Sequence, residues 1–250
     1  MSPAVATAAP SRHRSPVTAF TGAWASQIGI TVAFLALWLA FIIGAPSTFL
    51  SDRIYLAFAQ TDPYFAIVAL FLTMVIIAGD IDLSFVSIMP LSLVGFVSTW
   101  QATGNVELGV VACLAVGALC GLFNGVLVTF IGIPSLVVTI GTQFLFAGLA
   151  LVLVNGRQYV LLDTNSSVSY GLLAGKIGTI PIQFFWWIAL AIVAWLLLNR
   201  HRLGQNAYVV GDNPQAAQLM GIPIRRTRIT LFVLVGLASE IGRASCRERV

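Results

Sequence analysis

The stretch YFAIVALFLTMVIIAGDIDLSFVSIMPLSLVGFVSTW, residues 64–100, contains two long apolar runs separated by a short acidic break, AGDIDLS at 78–84. Each run is long and continuous enough for an α-helix that crosses a hydrocarbon core of about 30 Å. A strand of a membrane β-barrel would instead alternate apolar and polar residues over about 10 positions. The stretch therefore predicts two membrane helices joined by a buried turn or helix break.

The rest of the chain has the same character, with 58% hydrophobic and 9% charged residues and a mean hydropathy of +0.95. A soluble domain carries about 25% charged residues, so water is not the only solvent for this chain. We expect an all-α, polytopic transmembrane helical bundle. Its apolar segments are 27–45, 62–79, 83–100, 107–130, 133–155, 179–199 and 229–241.

The distribution of arginine predicts the orientation of this bundle, because basic loops stay on the cytoplasmic side. Arg12 and Arg14 precede the first segment, and Arg200, Arg202, Arg225, Arg226 and Arg228 follow the sixth. Six crossings return the chain to its starting side, so both groups are expected in the cytoplasm. An even number of crossings does not by itself distinguish full membrane spans from a pair of re-entrant segments.

The ends and loops follow from this orientation. Residues 1–26 are predicted to form a disordered cytoplasmic extension, and the loops 46–61 and 156–178 to face outside. The long polar loop 156–178 is either a landing surface for an external partner or an ordinary solvated loop. The connection at 131–132, like that at 79–82, is expected to be a buried turn or helix break.

Polar residues at membrane depth are the candidates for function, since burying them in the membrane costs free energy and such residues are often functional. Asp82 could cap the helix that follows it, as could Asp80. An ion or proton site and a conformational hinge or gate are the alternatives. The candidate pathway or gate residues are Asp80, Asp82, Ser84, Asn124, Thr139, Thr142, Gln143 and Asn155.

The sequence contains no enzyme signature: no nucleophile–base set, no metal-ligand cluster and no phosphate-binding glycine loop. Few basic residues are present and they lie near membrane boundaries, which argues against a nucleic-acid partner. Cys113 and Cys120 are interpreted as small packing residues. Gly117, Gly121 and Gly125, spaced by four, favour a face for close helix packing, with a substrate path as the alternative.

The loop between the sixth and seventh segments contains NPQAAQLMGI, which predicts a short amphipathic helix. Asn213 would cap it, Pro214 would occupy the first helical position, and Gly221 would end it. Ala217, Met220 and Gly221 are predicted to share a face. Such a helix suits docking into another protein, or else rests at the lipid headgroups.

Three stretches resemble the permease subunit of bacterial ABC importers of the ribose/simple-sugar class. They are TMVIIAGDIDLS (73–84), GLFNGVLVTFIGIPSLVVTIGT (121–142) with GLALVLVNGR (148–157), and GQNAYVVGDNPQAAQLMGI (204–222). Their joint occurrence in this order covers roughly residues 30 to 240. The resemblance implies the fold of the sugar/vitamin B12-type importer permease, in an incomplete form, with residues 27–240 as a partial permease domain.

The resemblance also implies function and partners. Two permease copies, identical or not, would form the pathway; ATPase subunits carrying ATP and magnesium would dock in the cytoplasm; and a periplasmic or extracellular binding protein would deliver a monosaccharide or related small sugar. This chain would hold no cofactor itself and would lie in the inner membrane. The resemblance assigns the coupling helix to Asp212, Asn213, Pro214, Gln215, Ala216, Ala217, Gln218, Leu219, Met220 and Gly221.

The chain departs from the family pattern at three places. Asp80 stands where glycine is common, and Phe85-Val86-Ser87 replaces Val-Gly-Ser. The last residues, RASCRERV, are charged where apolar residues are expected, so 241–250 is interpreted as a non-native tail of a truncated product. An ion-coupled secondary transporter, with Asp80 and Asp82 as ion ligands, is the alternative function.

Overall fold

The computed structural model of the chain describes residues 16–155 and 175–243. A π-helical turn, Leu127–Ile131, extends the fifth helix, and a hairpin pairs β1 (Lys176–Ile177) antiparallel to β2 (Ile180–Pro181). The helices are α1 (Pro16–Gly44), α2 (Pro46–Phe49), α3 (Asp52–Ile77), α4 (Phe85–Thr103), α5 (Val106–Val126), α6 (Ser135–Leu153), α7 (Ile182–Asn199), α8 (Arg202–Asp212), α9 (Pro214–Leu219) and α10 (Ile224–Arg243).

Within these ranges, six helices are long and apolar enough to cross a membrane. They are Gln27–Gly44 of α1, α3, α4, the continuous Val106–Ile131, α6 and α7. The prediction of an all-α polytopic bundle is therefore confirmed. α10 contains the predicted segment 229–241 but is not among the six, because charged residues occur near both of its ends.

The structure differs from the prediction at two boundaries. α1 begins at Pro16, inside the segment 1–26 predicted as a disordered extension, and proline suits a first helical position. α3 begins at Asp52, so most of the predicted loop 46–61 is helical. The polar residues Asp52, Arg53 and Asp62 interrupt the apolar pattern there without ending the helix, which even contains Pro63.

The chain divides into two compact units, Met1–Ile54 and Tyr55–Val250. In the first, α1 and α2 are joined through Ala45, whose backbone N–H donates to the Phe41 carbonyl. The rings of Phe41 and Phe49 stack with centroids 5.3 Å apart. These contacts hold the short α2 against the end of α1.

α10 lies at the centre of the second unit, packed against α5, α4 and α8. Leu231, Phe232 and Val235 on α10 are 1% exposed or less. They share a core with Met74 of α3 and Ala207 of α8. The last membrane-like segment of the described chain is thus enclosed by other helices rather than facing lipid.

Glycines allow α5 and α10 to approach closely. A Cβ atom on Gly121 would overlap the carbonyl oxygen of Phe232, and one on Gly125 would lie 2.9 Å from the Ile229 Cα. On the facing helix, a Cβ on Gly236 would overlap the carbonyl oxygen of Gly117. The predicted packing face at Gly117, Gly121 and Gly125 is confirmed, because only residues without a side chain permit this contact.

Candidate functional site

The break between α3 and α4, residues 78–84, contains a glycine in the left-handed conformation at its second position. Gly79 has a φ of +83°, its N–H donates to the Ile76 carbonyl, and the Asp80 N–H donates to the Val75 carbonyl. This pair of bonds is the Schellman motif, which satisfies the last carbonyls of a helix and turns the chain away from its axis. Glycine at 79 therefore fixes where α3 ends.

The second half of the α3–α4 break is held by a buried polar chain. One carboxylate oxygen of Asp82 accepts hydrogen bonds from the Ser84 N–H (2.8 Å) and hydroxyl (2.6 Å). The Asn124 amide of α5 donates to the same hydroxyl at 2.6 Å. Asp82, Ser84 and Asn124 are each 2% exposed or less.

The predicted capping role of Asp82 needs correction. The residue at the N-cap of α4 is Ser84, whose carbonyl accepts the first helical bonds from Ser87 and Ile88. Asp82 instead accepts from the Ser84 N–H two positions ahead, a local turn that aspartate favours. It orders the segment just before the helix.

The middle of the α3–α4 break is fastened to α6. The Ser135 hydroxyl accepts the Ile81 N–H at 3.0 Å, and the Thr139 hydroxyl donates to the Ile81 carbonyl at 3.2 Å. Ser135 and Thr139 are four residues apart, so both lie on one face of α6. Together they satisfy both backbone groups of a residue outside any helix, which backbone at membrane depth requires.

Asp80 forms an ion pair with Arg228 at the start of α10. Nε of Arg228 lies 3.0 Å from Oδ2 of Asp80, although these two atoms are not aligned as a hydrogen bond. The side chains are 7% and 23% exposed, so the carboxylate is buried and the guanidinium retains some access to solvent. Opposite charge at this distance offsets part of the cost of burying the carboxylate.

The structure brings some predicted residues together and leaves others apart. Asp80, Asp82, Ser84, Asn124 and Thr139 surround the α3–α4 break, and Thr142 lies one turn further along α6, bonded to the Thr139 carbonyl. Gln143 is half-buried on α6. Asn155 is exposed beyond the end of α6, with a φ of +51°, and the end of α6 lies about 20 Å along the helix axis from Thr139.

Two residues of this site were missed by sequence reasoning. Ser135 follows Pro134 at the start of α6, and its spacing of four from Thr139 is the signal that could have found it. In the sequence, Arg228 serves only as a marker of orientation. Its partner is distant in sequence, so no local pattern connects the two residues.

A second break, residues 127–134, separates α5 from α6. It consists of the π-helical turn, Gly132 with a φ of +78°, and the Ile133–Pro134 pair. The helix break predicted at 131–132 is present, but residues 131–134 are exposed rather than buried, whereas Val128 in the π-helical turn is buried. The guanidinium carbon of Arg225 lies 5.0 Å from the centre of the Phe130 ring, a cation–π contact.

The predicted short helix at 213–221 is confirmed as α9. The Asn213 side chain accepts from the N–H groups of Gln215 and Ala216, each at 3.0 Å, and Pro214 occupies the first turn. At the other end, Gly221 has a φ of +73°, and the Ile222 N–H donates to the Ala217 carbonyl. Both ends are therefore capped, and the helix is a stiff element.

The exposed face of α9 differs from the predicted one. Ala217 is fully buried against the rest of the chain, whereas Leu219 is 91% exposed and Met220 is 70% exposed. Ala217 and Met220 therefore do not share an outward face. The exposed apolar side chains at the end of α9 are Leu219 and Met220.

α8, which precedes α9, touches the α3–α4 break directly. A Cβ on Gly211 would overlap the Ile77 carbonyl oxygen, so only glycine permits this approach of α8 to the end of α3. With the Asp80–Arg228 pair, this contact places the α3–α4 break at the same end of the second unit as α8 and α9. The acidic stretch is thus next to the segment predicted to dock.

Other predictions fall outside the described residues, namely most of the loop 156–178 and of the tail 241–250. Across 16–155 and 175–243, no group of three or more His, Cys, Asp or Glu side chains could hold a metal ion. The buried Oδ2 of Asp82 and Oδ1 of Asn124 accept no hydrogen bond from the described residues. The polar groups around the break mainly fasten helices to one another.

Comparison with known proteins agrees with this architecture. Residues 54–241 match the profile of the family described as "Branched-chain amino acid transport system / permease component". The "Autoinducer 2 import system permease protein LsrD" of Yersinia enterocolitica is 34% identical over 70% of this chain and 54% of its own length. That of Salmonella typhimurium is 31% identical over 85% of this chain and 65% of its own length.

The corresponding protein of Escherichia coli O9:H4 is 32% identical over 86% of this chain and 67% of its own length. The chain thus spans about half to two thirds of the length of these relatives. No solved structure matches the chain. Since the family profile covers most of the sequence and six helices suit a membrane, the chain belongs to the branched-chain amino acid transport system permease component family.

Proposed function

We propose that the chain is the membrane-spanning permease subunit of an ATP-driven ABC importer and is not itself an enzyme. Membership of the permease family supports this, as do relatives named as permease proteins of an import system. ATP and magnesium would be bound by a separate ATPase subunit. The chain would contribute the pathway and the element through which ATP hydrolysis drives it.

The observation that carries the proposal is the geometry of α9. A helix capped at both ends presents Leu219 and Met220 to the outside and lies next to α8, which touches the α3–α4 break. Apolar side chains on a short, stiff helix fit a groove on another protein. Rigid-body motion of that partner would be transmitted to the helices without first deforming α9.

The proposed assembly contains a second permease copy, one or two ATPase subunits and an extracytoplasmic binding protein. The basic segment 199–230 would face the cytoplasm with the N-terminus, which puts β1 and β2 outside. In this orientation, α9 meets the ATPase, and the outer loops meet the binding protein.

The cargo is proposed to be a monosaccharide or a related small sugar. The names of the relatives make autoinducer 2 a specific candidate, and the family description adds branched-chain amino acids. Direct comparison of these solutes as ligands of the cognate binding protein distinguishes them.

Uptake by liposomes containing the chain, its ATPase and its binding protein tests the proposal. We expect uptake to require ATP on the side of the liposome membrane where the ATPase lies. Uptake should persist when ionophores collapse all ion gradients. The isolated chain should hydrolyse no ATP. Uptake that follows an ion gradient without ATP would instead assign the chain to ion-coupled transport.

A further inference from the structure

The first turn of α10 contacts both helix breaks. Arg225 and Arg228 are three residues apart and therefore lie on one face of the helix. Arg228 pairs with Asp80 in the α3–α4 break, and Arg225 stacks on Phe130 in the α5–α6 break. Arg226, between them, is exposed.

The same turn follows α9 after only a short link, residues 220–223. The Ile224 N–H donates to the Ile222 carbonyl, and both the N–H and the hydroxyl of Thr227 donate to the Pro223 carbonyl. Thr227 is 2% exposed. Because this link is short and hydrogen-bonded, α9 and the start of α10 are expected to move together. Displacement of α9 therefore also displaces Arg225 and Arg228.

The breaks are themselves connected to neighbouring helices. Ile81 is bonded to Ser135 and Thr139 of α6, and Ser84 is bonded to Asn124 of α5. Displacement of Asp80 is therefore transmitted to α5 and α6 as well as to α3 and α4. These contacts form one continuous network of packed and bonded groups that begins at α9.

We propose that Arg225 and Arg228 are positioning residues that brace α9 to both helix breaks, and that the Asp80–Arg228 ion pair is the stronger arm of this brace. The inference rests on the proposed function, in which an ATPase moves α9. It gives Asp80 a role, because this acid faces a cation on α10, the helix that follows α9. A buried carboxylate without its cation is strongly disfavoured, so the pair should persist as α9 moves.

Hydrogen exchange on the purified chain tests the ion pair by itself. We expect Arg228→Gln and Asp80→Asn each to accelerate exchange of the amides of residues 79–84 by about tenfold, with less than additive effect in the double variant. The matched controls are Arg226→Gln, next to Arg228 but exposed, and Asp62→Asn, which lies in α3 outside the break. Unchanged exchange in both single variants would overturn the ion-pair arm.

Addition of the ATPase subunit tests the coupling. In the unaltered chain, we expect ATPase binding to change the exchange of both breaks. The ATPase should still bind the Arg228→Gln chain, because Leu219 and Met220 are intact. Its binding should then still change the hydrogen exchange of α9 but no longer that of residues 79–84. If residues 79–84 respond to the ATPase as strongly in Arg228→Gln as in the unaltered chain, the proposed link through Arg228 is wrong. If the ATPase does not bind even the unaltered chain, this counts against the proposed function and against coupling through α9. The exchange result on the isolated chain still decides whether the ion pair stabilises the α3–α4 break.

Discussion

At the scale of single residues, the chain uses polar groups to fasten its helices where the backbone leaves helical geometry. Asp82, Ser84 and Asn124 form a buried chain of hydrogen bonds, and Ser135 and Thr139 satisfy the peptide groups of Ile81. The sequence predicts that these residue types at membrane depth matter. It does not predict the Asp80–Arg228 contact, because 148 positions separate the two residues and only the packing of α10 brings them together.

Gly121 provides the residue-scale prediction. Gly121→Ala should lower the free energy of unfolding of the purified chain in detergent by about 1–3 kcal/mol, since the added Cβ overlaps the Phe232 carbonyl and forces α5 and α10 apart. Gly141→Ala on α6 is the matched control, because a Cβ there meets no atom within 4 Å. Equal stability of the two variants, measured by thermal or denaturant unfolding, would contradict the close packing of α5 on α10.

At the scale of elements, local signals predict more than long-range ones do. The ends of α9 are predictable because Asn213, Pro214 and Gly221 act on their own neighbours in sequence. The outward face of α9 is not predictable, because burial of Ala217 depends on where α8 and α10 lie. The start of α3 is not predictable from the apolar run either, because the helix continues beyond that run to Asp52 and Arg53.

The cap of α9 gives a prediction at this scale. Asn213→Ala should destabilise α9 by about 1 kcal/mol, since the N–H groups of Gln215 and Ala216 lose their acceptor. Hydrogen exchange of these two amides should accelerate by about fivefold. Gln218→Ala is the control, an exposed residue of the same helix whose side chain is not at the cap. If Gln218→Ala accelerates exchange as much, the cap does not stabilise α9.

At the scale of the whole molecule, composition and segment lengths predict the all-α membrane bundle, and the structure confirms it. The position of α10 could not be predicted in this way. Its charged residues lower its hydropathy, yet its middle residues form the core of the second unit. A helix surrounded by other helices does not need the continuous apolar surface that lipid demands.

Orientation in the membrane is the prediction at this scale. In a chain whose cysteines are replaced by alanine, Lys176→Cys in β1 should react with a membrane-impermeant maleimide on intact cells. Gln215→Cys in α9 should react only after the cells are permeabilised, because the basic segment around it faces the cytoplasm. Both residues are exposed, so accessibility within the protein does not decide the result. The reverse labelling pattern would invert the proposed topology.

The measurement that tests the central claim most directly is co-purification of the ATPase subunit with this chain. Leu219→Asp should weaken the association by about 2 kcal/mol, or roughly thirtyfold, because the charge replaces the most exposed apolar side chain of α9. Gln205→Asp, an exposed position on α8, should leave the association unchanged. If the ATPase binds the Leu219→Asp chain as tightly as the unaltered one, α9 is not the element through which the importer is driven.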